Sequence, residues 1–115
     1  MALRYHIHEK GNKMGESEFI KLCKNLVVQY VNQSDYVTKD GHRPYIKNCH
    51  VFVVWLCKIL QNNKALLSTT IDGDTRYYEI TYNGTTQEIY FDAYDKLQNV
   101  CIDKEMWKKE KKIEW

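Results

Sequence analysis

Between Val51 and Tyr94, short runs of β-branched and aromatic residues alternate with Asn, Gly and Asp turns, the pattern of a compact antiparallel sheet. Val51 to Leu60 is almost continuously apolar, which predicts a central strand covered on both faces. Gln61 to Lys64 turns the chain back into a partner strand through Ala65 to Ile71, and Asp72, Gly73 and Asp74 make the next turn. Strand side chains alternate, so Tyr78, Ile80 and Tyr82 share one face of the third strand and Tyr77, Glu79 and Thr81 the other. Asn83 followed by Gly84 predicts a type I′ hairpin, whose two central positions need positive φ. A fourth strand follows from Gln87 to about Tyr94.

Upstream the period changes. From Ser17, read as an N-cap with Glu16 and Glu18 suited to a positive helix start, apolar residues fall at Phe19, Ile20, Cys23, Leu26, Val27, Tyr30 and Val31. That spacing predicts one helix with one buried stripe, ending near Gln33. The stretch NQSDYVTKDGHRPYIKNCH, which holds the single proline Pro44, reads as a long connecting loop. After Asp95 the chain forms either a short helix or a bend before Val100 to Ile102. The tail DKEMWKKEKKIEW has the pattern of an amphipathic helix. The reading is therefore α+β: one long helix packed on a four-stranded antiparallel meander, with a C-terminal helix. Residues 1–115 form a single domain, in which 1–13 is an N-terminal extension with an edge strand over Tyr5 to His8, and 103–115 is the tail.

Composition narrows this picture. With 115 residues, 43% of them hydrophobic, the chain can bury one core and no second. A net charge of +2 argues against a protein that coats polyanions and against an acidic nucleic-acid mimic, so partner choice falls to local patches. The polar start MALRYHIHEK and the lack of a twenty-residue apolar run predict neither signal peptide nor membrane span, hence a cytoplasmic protein whose four cysteines are reduced thiols.

His6 and His8 point the same way if the extension pairs beside the Val51 strand, and they join Cys49 and His50 there as four nitrogen and sulfur ligands for zinc. The alternative is an exposed polar edge with Cys49 as a small loop filler. Cys23 and Cys57 read as small core hydrophobes, or with Cys101 as a second metal set around an interior point. Glu79, Glu88 and Asp92, separated by a hairpin, read as solvated strand faces, and His42, Arg43 and Lys47 as a small basic loop. Nine tyrosines and three tryptophans exceed what one small core buries, so Tyr77, Tyr78, Tyr82, Tyr90 and Tyr94 are expected to leave an aromatic sheet face. Such a face suits a protein interface or stacking on unpaired bases. Lys58, Lys64 and Arg76 are the clear positive residues of the whole sheet, too few for a nucleic-acid platform, so protein binding is preferred and direct nucleic-acid binding is not expected.

The words EFIKLCKNLVVQYVN, VVWLCKILQNNKALLST, YYEITYNG and EIYFDAYDKLQNVCI resemble a family of small uncharacterised proteins carried by phages and prophages of Gram-positive bacteria, from about Glu18 to Ile102. The extension before Met14, the tail after Ile102 and the HRPYIKNCH loop depart from that pattern. The resemblance carries no catalytic residues and implies a binding protein, not an enzyme. It suggests a counter-defence inhibitor in the host cell cytoplasm, with an anti-CRISPR protein that binds Cas9 and blocks nucleic-acid loading as the specific expectation. Partner contacts are then expected on the departing segments, at Arg43, Tyr45, Trp107, Lys108, Lys109 and Trp115. A phage nucleic-acid-binding regulator and a sponge for a nucleotide signal are the alternatives.

Overall fold

A computed structural model describes residues 13–35, 37–38, 40–109 and 112. The helix α1 spans Glu16–Gln33, and four strands follow as β1 (Val51–Ile59), β2 (Asn62–Thr69), β3 (Arg76–Asn83) and β4 (Glu88–Asp95), with a short helix α2 at Lys104–Lys108. The sheet is antiparallel throughout, in the order β1-β2-β3-β4. This is the α+β architecture that the hydrophobic pattern predicts.

The helix begins two residues earlier than its sequence suggests. Gly15 is the N-cap, without a side-chain cap, and Ser17 lies inside the first turn between Glu16 and Glu18. Phe19, Cys23, Val27 and Val31 recur at fourfold spacing and are all buried. They pack on Val51, Ala65, Leu67, Tyr78 and Ile80 to form the core. Tyr78 and Tyr82 therefore face the helix and are not part of an exposed aromatic face, because the alternation of β3 gives Arg76, Tyr78, Ile80 and Tyr82 to the core.

Beneath the C-terminal half of α1 sits a polar cluster that hydrophobic patterning does not show. The Asp74 carboxylate accepts from the Arg76 amide at 3.0 Å, from the Arg76 side chain at 3.3 Å and from the Thr69 hydroxyl. The Arg76 guanidinium also lies 6.0 Å from the Tyr30 ring and 5.7 Å from that of Tyr78. A buried charge is tolerated where it is paired and hydrogen-bonded, as here.

The loop after α1 is tied down. Asn32 accepts from the Ile46 amide at 2.8 Å and donates to its carbonyl at 3.0 Å, which seats the Ile46 side chain in the core. Gly41, at φ 82°, closes a turn in which the Thr38 and His42 main chains bond. The β3–β4 connection is a four-residue loop, not the predicted two-residue type I′ turn. Asn83 pairs with Glu88, the Asn83 side chain accepts from the Thr85 and Thr86 amides, and the positive φ falls on Gln87 at 57°. Residues 96–103 have no regular structure.

The largest difference from expectation is β1. Its near-continuous apolar run belongs to an edge strand, and Phe52, Val54, Trp55 and Ile59 are exposed. The register explains why. Val53 pairs with Leu67 and Trp55 with Leu66, so Val54 is an extra residue in a β-bulge. Before the bulge Val51 and Val53 face the core. After it the phase reverses: Leu56 and Lys58 face the helix, and Trp55, Cys57 and Ile59 turn to the other side. Lys58 donates from there to the Met14 carbonyl at 3.2 Å.

Candidate protein-binding surface

The face of the sheet away from α1 is open, and its rows follow from the pairing. Trp55, Leu66, Glu79 and Asp92 line up across all four strands, and Cys57, Lys64, Thr81 and Tyr90 form the next row. Phe52 and Tyr94 lie toward one end of the face, Ile59 and Glu88 toward the other. The β1–β2 half is thus apolar, with Trp55 41% and Phe52 44% exposed, and the β3–β4 half carries carboxylates and tyrosines. Between Cys57, Ile59, Lys64 and Thr81 lies a hollow of about 240 Å³.

The acidic half has a definite electrostatic character. Glu79 and Asp92 are direct cross-strand partners, so the sheet joins two carboxylates that their separation in sequence had set apart. Lys64 offsets Glu79 at 3.5 Å. Glu88 accepts from the Tyr90 hydroxyl at 3.1 Å, and that bond together with its charge raises the Tyr90 pKa above the usual phenol value. The Tyr94 phenol is raised as well, first by the charge of Asp92, with burial and Glu79 adding to it. Of the three sheet cations counted from sequence, only Lys64 is on the open side, since Arg76 and Lys58 both face the helix.

The hairpin tip extends the apolar half. Leu60, at φ 58° and 84% exposed, follows Ile59 in the β1–β2 turn. A leucine in the left-handed region is uncommon, because its Cβ crowds the following carbonyl.

The residues expected from sequence to contact a partner are spread over separate places. Tyr45 is 79% exposed, whereas the Arg43 guanidinium donates to the Ser34 carbonyl at 2.7 Å and helps hold the loop. Trp107 is 56% exposed on α2, Lys108 ends that helix, and Lys109 pairs with Glu105 at 3.4 Å. Trp115 lies outside the described residues, as do His6, His8 and the proposed edge strand at Tyr5 to His8.

Cys49 and His50 sit together in a single 3-10 turn, Asn48–His50, where the His50 Nδ1 accepts from the Lys47 amide at 2.9 Å. That leaves Nε2 as the ring nitrogen open to a ligand. Among the described residues no group of three or more His, Cys, Asp or Glu side chains is placed to hold a metal. The second cysteine set does not assemble, because Cys57 and Cys101 are exposed while Cys23 alone is buried. Burial pushes the Cys23 thiol up to about 12, so it is a core filler and a poor nucleophile. Sequence reasoning placed Cys57 in the core with it; the bulge puts that side chain on the open face instead.

What sequence reasoning missed was the group Phe52, Trp55, Ile59 and Leu60, read as core because apolar runs in strands usually are. Tyr77, Tyr90 and Tyr94 were among the five tyrosines that the aromatic count marked for the surface, and the count could not separate them from the buried Tyr78 and Tyr82.

No helix among the described residues is long and apolar enough to cross a membrane. Residues 20–104 match a family of unknown function, DUF6275. Neither the comparison with curated proteins nor that with solved structures gives a match.

Proposed function

The chain belongs to the DUF6275 family, and we propose that it acts by binding another protein through the open face of its sheet, without turnover. The observation that carries this reading is Trp55. A bulge in the edge strand turns its indole out of the core and onto a face it shares with Phe52, Leu66 and Ile59. Bulges of this kind re-aim side chains, and a partly exposed tryptophan among aliphatic neighbours is the type of residue that anchors interfaces. The carboxylates of β3 and β4 flank the anchor, so the face suits a partner whose surface combines an apolar pocket with basic side chains.

A counter-defence inhibitor in the host cell cytoplasm fits that chemistry. The channel in which Cas9-type effectors hold the guide–target duplex is positively charged. An acidic, tyrosine-bearing sheet face seated there competes with nucleic acid for the same cations. Glu79, Glu88 and Asp92 on that face also weigh against the nucleic-acid-binding regulator, since phosphates are repelled by carboxylates.

Capture of partners from a Gram-positive host lysate, followed by titration of purified Cas9, tests the reading. W55A is expected to bind at least about tenfold more weakly than the parent while remaining folded. Undiminished affinity of W55A would move the interface elsewhere. Retention on DNA that declines steeply with salt, in place of a captured protein, would favour the regulator.

A further inference from the structure

The helix carries two apolar rows side by side. Phe19, Cys23, Val27 and Val31 fill the core. Leu22, Leu26 and Tyr30, one helical step round, look instead into a groove of about 470 Å³ between α1 and β4, closed on the strand side by Ile89 and Phe91. Tyr30 and Phe91 meet across it with ring centroids 5.2 Å apart. The groove exists because α1 packs over β1 and β2, leaving the β4 side of the inner face only partly roofed.

β4 ends the strand order, so no described strand pairs with its outer edge. An extended segment laid along such an edge bonds to its main chain and sends alternate side chains to opposite sides of the sheet. On the inner side they would meet Ile89 and Phe91 and the apolar row of α1. On the outer side they would meet Glu88 and Asp92. Asp92 has no ion-pair partner among the described residues, and Glu88 is bonded to the neutral Tyr90 hydroxyl. Two cations lie on the outer side among the described residues: Lys64 is engaged with Glu79 at 3.5 Å, and Lys96 sits over the Tyr77 ring at 5.9 Å.

We propose that β4 accepts an extended segment of a partner protein as a fifth strand, with apolar side chains of that segment in the groove and basic side chains at the intervening positions against Glu88 and Asp92. This rests on the reading that the protein works by binding another protein, and it names the shape and chemistry of what is bound.

The test uses the full chain and two blocked peptides of about ten residues. In one leucine alternates with lysine, in the other leucine alternates with glutamate, and binding is followed by fluorescence anisotropy and amide hydrogen exchange. The leucine–lysine peptide is expected to bind at least about tenfold more tightly than its acidic counterpart and to slow exchange at alternate β4 amides. L26E, at a half-buried helix position, is expected to lose about tenfold in affinity, and the E88K/D92K variant to reverse the peptide preference. Equal affinity for both peptides, or unchanged β4 exchange in the complex, would overturn the proposal. So would β4 amides already protected in the peptide-free protein, in a concentration-dependent way if a second copy fills the edge and independently of concentration if the chain itself does. If the peptides behave as expected and no host protein is captured, the strand site stands and the inhibitor reading fails. If W55A abolishes capture while the peptides ignore β4, the reverse holds.

Discussion

At the scale of single residues, two positions carry measurable consequences. Leu60 holds φ 58° at the hairpin tip with most of its side chain in water. Asparagine adopts that conformation more easily, so L60N is expected to raise stability by ~0.5 to 1 kcal/mol, read from the denaturant midpoint at constant m. If the tip belongs to the interface, the same variant binds its partner more weakly. Cys23 is the second position. Its thiol stays protonated in the fold to about 12, whereas in the unfolded chain it ionises near the ordinary value of 9.0. Its contribution to stability is thus intact below pH 9.0 and is lost as pH rises toward 12, which alkaline unfolding of parent and C23A would show as a difference confined to that window. Maleimide should label the exposed Cys49, Cys57 and Cys101 in the native protein and reach Cys23 only on unfolding.

At the scale of elements, the β3–β4 hairpin places Glu79 directly opposite Asp92, a like-charge pair that Lys64 offsets on one side only. Like charges in that geometry are destabilising. D92N is therefore expected to stabilise the fold by ~0.2 to 1 kcal/mol and to weaken binding to a basic partner. The Tyr94 phenol, held up first by the charge of Asp92, should titrate at lower pH in that variant, which ultraviolet absorbance reads directly. Stability gained with affinity lost marks carboxylates kept for contact. β1 shows how an element's role depends on one inserted residue. Without the bulge at Val54, strict alternation gives Trp55, Cys57 and Ile59 to the core side; with it they face outward. The bulge also twists an exposed apolar edge, which discourages pairing with another edge of the same kind.

At the scale of the whole molecule, a net charge of +2 conceals a local gathering of carboxylates. Glu79, Glu88 and Asp92 gather on one face of the sheet, where Lys64 offsets only Glu79. A basic partner should then associate several-fold more slowly as salt rises from about 0.05 to about 0.5 M, with little change in dissociation, because screening acts on the steered encounter more than on the packed contact. Stopped-flow or surface kinetics at two salt concentrations would measure it. An association rate indifferent to salt would leave the acidic half without a role in steering.

The sequence by itself determined the elements, because each one rests on local periodicity. Fourfold spacing from Phe19 to Val31 specified the buried helix row, alternation through Tyr77 to Tyr82 specified the two faces of β3, and the turn at Asp72–Asp74 separated β2 from β3; the other two turns shift in the structure, since Asn62 to Lys64 already pair in β2 and the β3–β4 loop is residues 84–87. Of the five tyrosines it marked for an aromatic face, Tyr90 and Tyr94 are exposed and Tyr77 is half-buried on the outer side, whereas Tyr78 and Tyr82 are in the core. Tertiary structure decided what periodicity cannot carry. The place of β1 at the edge depends on which strands pair, and the outward turn of Trp55 depends on a register shift of one residue. The opposition of Glu79 to Asp92 arises only when the hairpin closes, and the groove beside β4 only because one helix is too narrow to cover four strands. Local patterns specify which side chains alternate, and long-range pairing specifies which side of the sheet remains in water.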